Sequence, residues 1–134
     1  TGCVTHMSYA PGRLLPVNRL GYLLAEDLLP ANERLTSFML TSKGKKCALV
    51  KVGATCVGKI SILYDEFKSN SSLFKTPFVR KLSTPWQISA GEQIGCFELG
   101  STVVLLVESE AFVPNSELYT GEPVKYGSPL GNWE

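Results

Sequence analysis

The sequence is poor in the residues that common catalytic motifs require. It has one histidine, His6, and four cysteines with no Cys-x-x-Cys pair. Because zinc ligands come in closely spaced pairs, this spacing predicts no metal site and favours free thiols, which suit a reducing compartment. A Gly-x-Ser-x-Gly motif is also missing, so a serine hydrolase would lack its nucleophile elbow.

An excess of charge of one sign and long apolar runs are missing too. The 134 residues carry a formal net charge of +1, so no basic excess indicates a nucleic-acid partner. No stretch reaches the roughly 20 apolar residues of a membrane-spanning helix. Any membrane contact is therefore expected to be peripheral, or to come from residues outside this chain. The length predicts one domain, residues 1–134, with its own core.

Alternating apolar and polar residues predict a mostly β fold. Such alternation begins at Gly2, resumes after Asn32-Glu-Arg34, and returns in residues 47–53 and 54–64. Short strands of this kind are typical of a compact antiparallel barrel or sandwich.

One short helix is predicted near residues 19–29. Four leucines recur there at helical spacing: Leu20, Leu23, Leu24 and Leu28. Asn18 can cap the start of this helix. The leucine face is expected to pack against the core.

Residues 65–85 predict a long loop in which basic side chains interleave with aromatic and apolar ones. These side chains are Lys68, Lys75, Arg80 and Lys81, with Phe67, Leu73, Phe74 and Phe78. Two interpretations stay open. The loop contacts anionic headgroups, or it is a solvated loop that tucks its aromatic residues inward.

A Gly-Ser bond lies between two apolar runs near the end of the chain. Phe97 and Leu99 precede this bond and residues 103–107 follow it, which predicts two buried strands. Gly100 can adopt backbone angles that other residues avoid, so a sharp turn is expected. In a strained turn the Ser101 hydroxyl can attack the neighbouring carbonyl, whereas the plainer interpretation is a simple turn.

Five motifs resemble the phosphatidylserine decarboxylase family in content, order and spacing. They are Ala10-Pro-Gly-Arg-Leu-Leu-Pro-Val-Asn18, Asn32-Glu-Arg34, Val52-Gly-Ala-Thr-Cys-Val-Gly58, Gly91-Glu-Gln-Ile-Gly95 and Leu99-Gly-Ser-Thr102. Together they span nearly the whole chain. Members of this family are made as proenzymes that cut themselves at the Gly-Ser bond of such a tetrapeptide.

The resemblance implies a pyruvoyl-dependent carboxy-lyase, a zymogen of phospholipid biosynthesis that converts phosphatidylserine to phosphatidylethanolamine and carbon dioxide. Ser101 is then the self-cleavage nucleophile and the precursor of the covalent pyruvoyl cofactor. This ketone condenses with the substrate amine and accepts electrons as carbon dioxide leaves. The cut after Gly100 would leave a β chain, residues 1–100, and an α chain, residues 101–134.

The resemblance also implies where the base for Ser101 comes from. In the family it is a histidine in a tract that precedes the position matched by Gly2, oriented by an aspartate that lies earlier still. Neither residue is in this sequence, which is therefore expected to be the C-terminal part of a catalytic domain, uncut and inactive by itself. His6 and Thr102 are expected to lie around Ser101 and support it, without contacting the reacting atoms.

The expected partners are phosphatidylserine, an anionic membrane surface and the proenzyme's own N-terminal segment, with a homodimer allowed. The expected location is peripheral to a membrane on its reducing side, which in a bacterium is the cytoplasmic face of the inner membrane. Two alternatives stay open. One is a β-barrel binding module that never matures, and the other is a family member that decarboxylates a soluble amino acid.

Overall fold

The computed structural model describes residues 1–56, 59–71 and 75–134 and is mostly β. Its strands are β1 Gly2–Ala10, β2 Arg34–Thr41, β3 Lys46–Val52, β4 Ile60–Ile62, β5 Phe78–Ile88, β6 Gly95–Phe97, β7 Thr102–Val107, β8 Phe112–Pro114 and β9 Gly131–Trp133. The helices are α1 Arg19–Leu24, α2 Leu28–Ala31 and a single 3-10 turn, Ser109–Ala111. No helix within the described ranges is long and apolar enough to cross a bilayer.

Five antiparallel strands form the main sheet in the order β5-β1-β2-β3-β7. Along its last pair, Val52 of β3 lies opposite Thr102 of β7, and Cys47 lies opposite Val107. The two edge strands, β5 and β7, do not pair with each other, so the sheet stays open. The predicted mostly β, antiparallel fold is confirmed, and its form is a sandwich rather than a closed barrel.

The core lies between one face of the main sheet and the small sheet β4–β6. The buried cluster consists of Met7, Tyr9, Leu35, Ala54, Ile60, Ile62 and Phe67. Residues Met7 and Tyr9 are alternate residues of β1, as expected for a strand with one buried face. Near the C-terminus, β8 and β9 pair with each other and form a second two-stranded sheet.

The helix near residues 19–29 is present, but it is split and its leucine face is turned outward. Asn18 caps α1 as predicted, because its side-chain oxygen accepts a hydrogen bond from the Gly21 N–H at 3.1 Å. Leu28, in α2, is buried as predicted, whereas the three leucines of α1 are exposed. Core packing was the wrong prediction for those three, because the Gly21 side of α1 meets the protein.

The prediction of a loop over residues 65–85 is wrong in its second half, where the chain forms most of β5. This strand pairs with β1 from Phe78, opposite Tyr9, to Ile88, opposite Gly2. Edge strands often carry lysine, arginine or proline, and these residues hid the alternation that identifies a strand.

The aromatic residues of this segment that the structure describes turn inward. Phe67 is buried and Phe78 is half-buried, with their ring centroids 5.4 Å apart. The inward-tucked interpretation therefore holds for these two rings. Residues Leu73 and Phe74 lie outside the described residues.

Strand β7 is less buried than its apolar sequence predicts. It has a neighbouring strand on one side only, and Val103, Leu105 and Leu106 are all exposed. Leu99 is exposed as well and follows the end of β6 at Phe97. The prediction of two strands around the Gly-Ser bond is confirmed, and the prediction that both are buried is wrong.

Candidate functional site

The Gly100-Ser101 bond lies in the turn that leads into edge strand β7. Gly100 has a φ of +65°, in the left-handed region that side chains with a Cβ rarely adopt. Ser101 is exposed, and Thr102 is the first residue of the strand. The sharp turn predicted at this glycine is confirmed. Ser101, the residue after this glycine, is exposed to solvent rather than packed in the core.

Across from this bond, the chain leaves β3 through Gly53. Val52 pairs with Thr102, the first residue of β7. Gly53 and Ser101 therefore each lie one residue beyond this last pair, at the same end of the two strands. A Cβ at Gly53 would come within 2.9 Å of Glu33 Oε2 and 3.1 Å of Leu14 Cδ2. Glycine thus allows this loop to sit directly on the side chain of Glu33.

One buried amide, that of Asn32, holds this loop to a second one. Its Oδ1 accepts a hydrogen bond from the Leu15 N–H at 3.0 Å. Its Nδ2 donates to the Leu15 carbonyl at 2.8 Å and to the Gly53 carbonyl at 3.0 Å. Asn32 is fully buried, so water cannot replace these bonds, and the two loops are fixed relative to each other.

The next residue, Glu33, is also buried and ties two further segments together. Its Oε1 accepts a hydrogen bond from the Tyr9 hydroxyl at 2.5 Å and from the Asn70 N–H at 2.9 Å. Burial, together with the hydrogen bond and charge of Glu33, raises the pKa of Tyr9 well above its ordinary value. Tyr9 therefore remains a neutral donor, and the carboxylate stays hydrogen-bonded.

Three polar side chains, those of Lys51, Ser37 and Tyr64, form a hydrogen-bonded chain in the interior. Lys51 Nζ donates to Ser37 Oγ at 2.5 Å, and Ser37 Oγ in turn lies 2.5 Å from the Tyr64 hydroxyl. Burial lowers the pKa of Lys51 to about 8, because the interior disfavours its charged form. Burial also raises the pKa of Tyr64 to about 12. These side chains lead away from Ser101, because Ser37 pairs with Leu49, which lies two residues further from the Ser101 end of β3 than Lys51 does.

The structure does not bring His6 to Ser101. In the strand register, His6 lies opposite Phe38 of β2, Phe38 lies opposite Ala48 of β3, and Ala48 lies opposite Leu106 of β7. Leu106 is five residues along β7 from Ser101. Three strand spacings add to this separation, which is on the order of 20 Å. The imidazole stacks on Phe38 at 4.3 Å and Nδ1 lies 2.9 Å from Thr5 Oγ1.

Of the other predicted site residues, Gly100, Ser101 and Thr102 are consecutive and form one edge of the site. Sequence reasoning assigned no role to Asn32 and Glu33 beyond the resemblance. Their signal was a polar pair directly before an alternating strand. Lys51 had a similar signal, because it is a charged residue inside the otherwise apolar run of β3.

Residues 1–132 match the sequence profile of a family described as phosphatidylserine decarboxylase. The chain belongs to this family. The resemblance seen in the five motifs is therefore confirmed. The match to the family profile is continuous and includes the Gly100-Ser101 turn, the Gly53 loop and the buried Asn32-Glu33 pair.

Several phosphatidylserine decarboxylase proenzymes are similar along nearly the whole chain. That of Myxococcus xanthus (strain DK1622) is 35% identical over 130 residues, covering 97% of this chain and 45% of the relative. That of Anaeromyxobacter sp. (strain K) is 38% identical over 131 residues, covering 97% and 46%. That of Brevibacillus brevis is 35% identical over 130 residues, covering 97% and 46%. The chain thus spans somewhat less than half the length of these curated relatives.

Proposed function

We propose that the protein containing this chain cuts itself between Gly100 and Ser101 and then decarboxylates phosphatidylserine to phosphatidylethanolamine. The observation that carries the proposal is the geometry of the bond. It joins a left-handed glycine to an exposed serine at the start of an edge strand, within a chain of this family. The similar proteins are described as proenzymes, which supports a cut of this kind.

The cut is a rearrangement of atoms that the chain already holds. A base takes the proton of the Ser101 hydroxyl, and Oγ attacks the Gly100 carbonyl carbon. The carbon–nitrogen bond then breaks, the base returns the proton to the released Ser101 nitrogen, and an ester replaces the amide. Removal of the Ser101 α-proton then breaks the Cβ–Oγ bond, so Gly100 leaves as a carboxylate. The dehydroalanine that remains tautomerises and is hydrolysed, which releases ammonia and leaves a pyruvoyl group on the new N-terminus.

The chain's own residues position this reaction. The left-handed Gly100 turns the carbonyl out of the line of the strand, and six residue pairs between β3 and β7 hold the serine side of the bond. On the opposite side, Asn32 and Glu33 hold the Gly53 loop in place. The serine side of the bond is therefore held in place, which reduces the entropy lost on reaching the reactive geometry.

The residues present fit a pyruvoyl group at position 101. Ser101 is exposed and follows a turn, so a substrate amine can reach the side chain from solvent. Once formed, the ketone supplies an electron sink for the loss of carbon dioxide.

The base that activates Ser101 is proposed to come from the proenzyme beyond this chain. Among the residues that the structure describes, the Ser101 hydroxyl has no hydrogen-bond partner, and His6 lies three strands away. A positioned base contributes roughly 10² to 10⁴ in rate. Without it, this chain is expected to stay uncut.

The test is a time course of intact mass and gel mobility on the full proenzyme. The unchanged protein should yield two pieces, the smaller one with a blocked N-terminus beginning at residue 101. Ser101→Ala should remain a single chain, whereas His6→Ala should still be cut. A His6→Ala variant as inert as Ser101→Ala would show that this histidine acts at the bond.

A cationic surface supports the further proposal that the protein binds peripherally to an anionic membrane on its reducing side. Lys68, Lys75 and Lys81 are exposed, whereas Arg80 pairs with Asp65 at 2.7 Å. Because Phe67 is buried, it does not take part in the proposed contact with anionic headgroups, which is left to the exposed lysines.

A further inference from the structure

Helix α1 carries an apolar face that nothing in the described structure covers. Leu20, Leu23 and Leu24 recur at i, i+3 and i+4, which places them on one side of the helix. Their exposed fractions are 58%, 78% and 62%. We name these three side chains the leucine face. Clustered exposed apolar side chains of this size mark an interaction surface more often than scattered ones do.

The orientation of this face follows from the opposite side of the helix. Gly21 is buried, and a Cβ there would lie 1.8 Å from the Pro16 carbonyl oxygen and 3.2 Å from Leu28 Cδ2. No other residue of α1 is buried. Since only the glycine side can approach the protein this closely, the leucines are held outward by the packing itself.

The leucine face belongs to the same end of the molecule as the scissile bond. The segment that leads into α1 is anchored at Leu15 by the Asn32 side chain, which also holds Gly53. Thr55 donates a hydrogen bond to the Leu14 carbonyl from the same loop. The segment that leads into α1 therefore lies beside the Gly53 loop, at the Ser101 end of β3 and β7.

The charges on the N-terminal side of the leucine face favour a lipid surface. Arg13 and Arg19 precede it, both exposed, and the first turn of α1 contains no acidic residue. Glu26 and Asp27 follow the helix on the way to α2 and lie beyond the leucines. Cations beside apolar side chains are the combination that binds the interface of an anionic bilayer.

We propose that the leucine face inserts into the bilayer interface and turns the Ser101 end of the protein toward the membrane. This inference rests on the proposed function, because a diacyl lipid substrate presents its headgroup at that interface. It assigns the apolar part of the membrane contact to α1 and leaves the basic part to the lysines near β5. Burying three leucines in the acyl region removes their exposed apolar surface from water.

Insertion can be located by a single tryptophan. In a full proenzyme in which every tryptophan, Trp86 and Trp133 included, is replaced by phenylalanine, Leu23→Trp reports on α1. Tyr126→Trp in the same protein reports on the segment between β8 and β9, which is also exposed. Vesicles of phosphatidylcholine and phosphatidylglycerol with brominated acyl chains should quench the tryptophan at position 23 strongly and the one at 126 little. Equal quenching at both positions overturns the proposal.

Replacement of the face gives a second, independent measure. Leu20→Ser, Leu23→Ser and Leu24→Ser together should weaken partitioning onto the same vesicles by roughly tenfold or more. The matched control, with Tyr119→Ser, Val124→Ser and Tyr126→Ser, removes exposed apolar side chains elsewhere and should partition normally. Unchanged partitioning of the leucine variant overturns the proposal.

Self-cleavage of the same proteins separates this inference from the proposed function. A leucine variant that is cut normally but binds vesicles weakly supports the membrane role. Loss of cutting with normal vesicle binding shows instead that another part of the proenzyme covers the face, and it overturns insertion. If even the unchanged protein is not cut while position 23 is still quenched, the proposed function fails and the insertion stands.

Discussion

At the scale of single residues, Asn32 shows how one side chain determines the geometry beside a reactive bond. Its buried amide satisfies three backbone groups on two loops. Removal of the side chain would leave the half-buried Leu15 N–H and carbonyl and the buried Gly53 carbonyl without these partners. Each such group costs about 1–3 kcal/mol.

Asn32→Ala is therefore expected to lower the free energy of unfolding by about 2–4 kcal/mol. The measurement is urea unfolding followed by circular dichroism. Asn18→Ala is the matched control, since it removes one exposed helix cap and should cost about 1 kcal/mol. Equal losses in the two variants would mean that the Asn32 bonds do not act as described.

Lys51 makes the stability of the protein depend on pH. Its pKa is lowered to about 8 by burial, whereas an unfolded lysine titrates near its ordinary value of 10.5. Between these two values the unfolded chain binds a proton that the folded protein has lost. The free energy of unfolding is therefore expected to rise with pH through this window, by about 2 kcal/mol between pH 7.5 and 9.5.

Lys51→Met should remove this rise and make the protein more stable near neutral pH. Cys47 acts in the opposite direction because burial raises its pKa, so the informative quantity is the difference between the two proteins. Measurements should stop near pH 9.5, since the raised pKa of Tyr64 lowers stability once unfolded tyrosine ionises. Parallel pH profiles for the two proteins would contradict the assignment.

At the scale of elements, the sequence predicted what local periodicity controls. The strands around the scissile bond, the cap at Asn18 and the turn at Gly100 all follow from residues within a few positions of each other. Strand β5 was missed because an edge strand needs no apolar alternation. The exposure of the α1 leucines was not predicted, because the spacing of apolar residues shows that they share one face of a helix but not whether that face packs against the core.

The buried polar residues were missed for a related reason. Asn32 and Glu33 find their partners up to 37 residues away. Their place as a polar pair before a strand therefore does not show that they are buried rather than solvated. Only the fold brings Tyr9, Gly53 and Asn70 around them.

Gly21→Ala tests how α1 is seated. The added methyl would overlap the Pro16 carbonyl, which is backbone and cannot move aside cheaply. We expect α1 to shift and the protein to lose about 1–3 kcal/mol of stability, measured by thermal unfolding. Leu20→Ala, on the exposed face of the same helix, should change stability by less than about 0.5 kcal/mol. A neutral Gly21→Ala would show that α1 does not pack as described.

At the scale of the whole molecule, charge is divided unevenly about the scissile bond. Residues 1–100 contain 12 lysines and arginines against 7 acidic residues, whereas residues 101–134 contain 1 against 5. This opposite balance favours association of the two pieces after a cut, and it leaves the larger piece as the one suited to an anionic membrane.

The basic surface predicts a salt-dependent affinity for vesicles. Lys75→Ala, Arg80→Ala and Lys81→Ala together should weaken binding of the full proenzyme to anionic vesicles by tenfold or more, since each cation contributes about 1 kcal/mol. Most of the loss should come from the two lysines, because Arg80 is already paired with Asp65. Vesicle sedimentation is the measurement, with Lys43→Ala and Lys125→Ala as the control. Unchanged binding at low salt would contradict the prediction.

The pairing of β3 with β7 has a thermodynamic consequence for the cut protein. Before the cut, unfolding is a unimolecular event and its midpoint is independent of protein concentration. Afterwards, the strand that begins at Thr102 belongs to a separate polypeptide, so unfolding is also a dissociation and its midpoint falls on dilution. An α chain lost in this way returns only by a bimolecular encounter, and the broken bond cannot re-form to hold it. If the proposed cut takes place, the six residue pairs of β3 and β7 thus determine how long the two pieces stay together as well as the shape of the sheet.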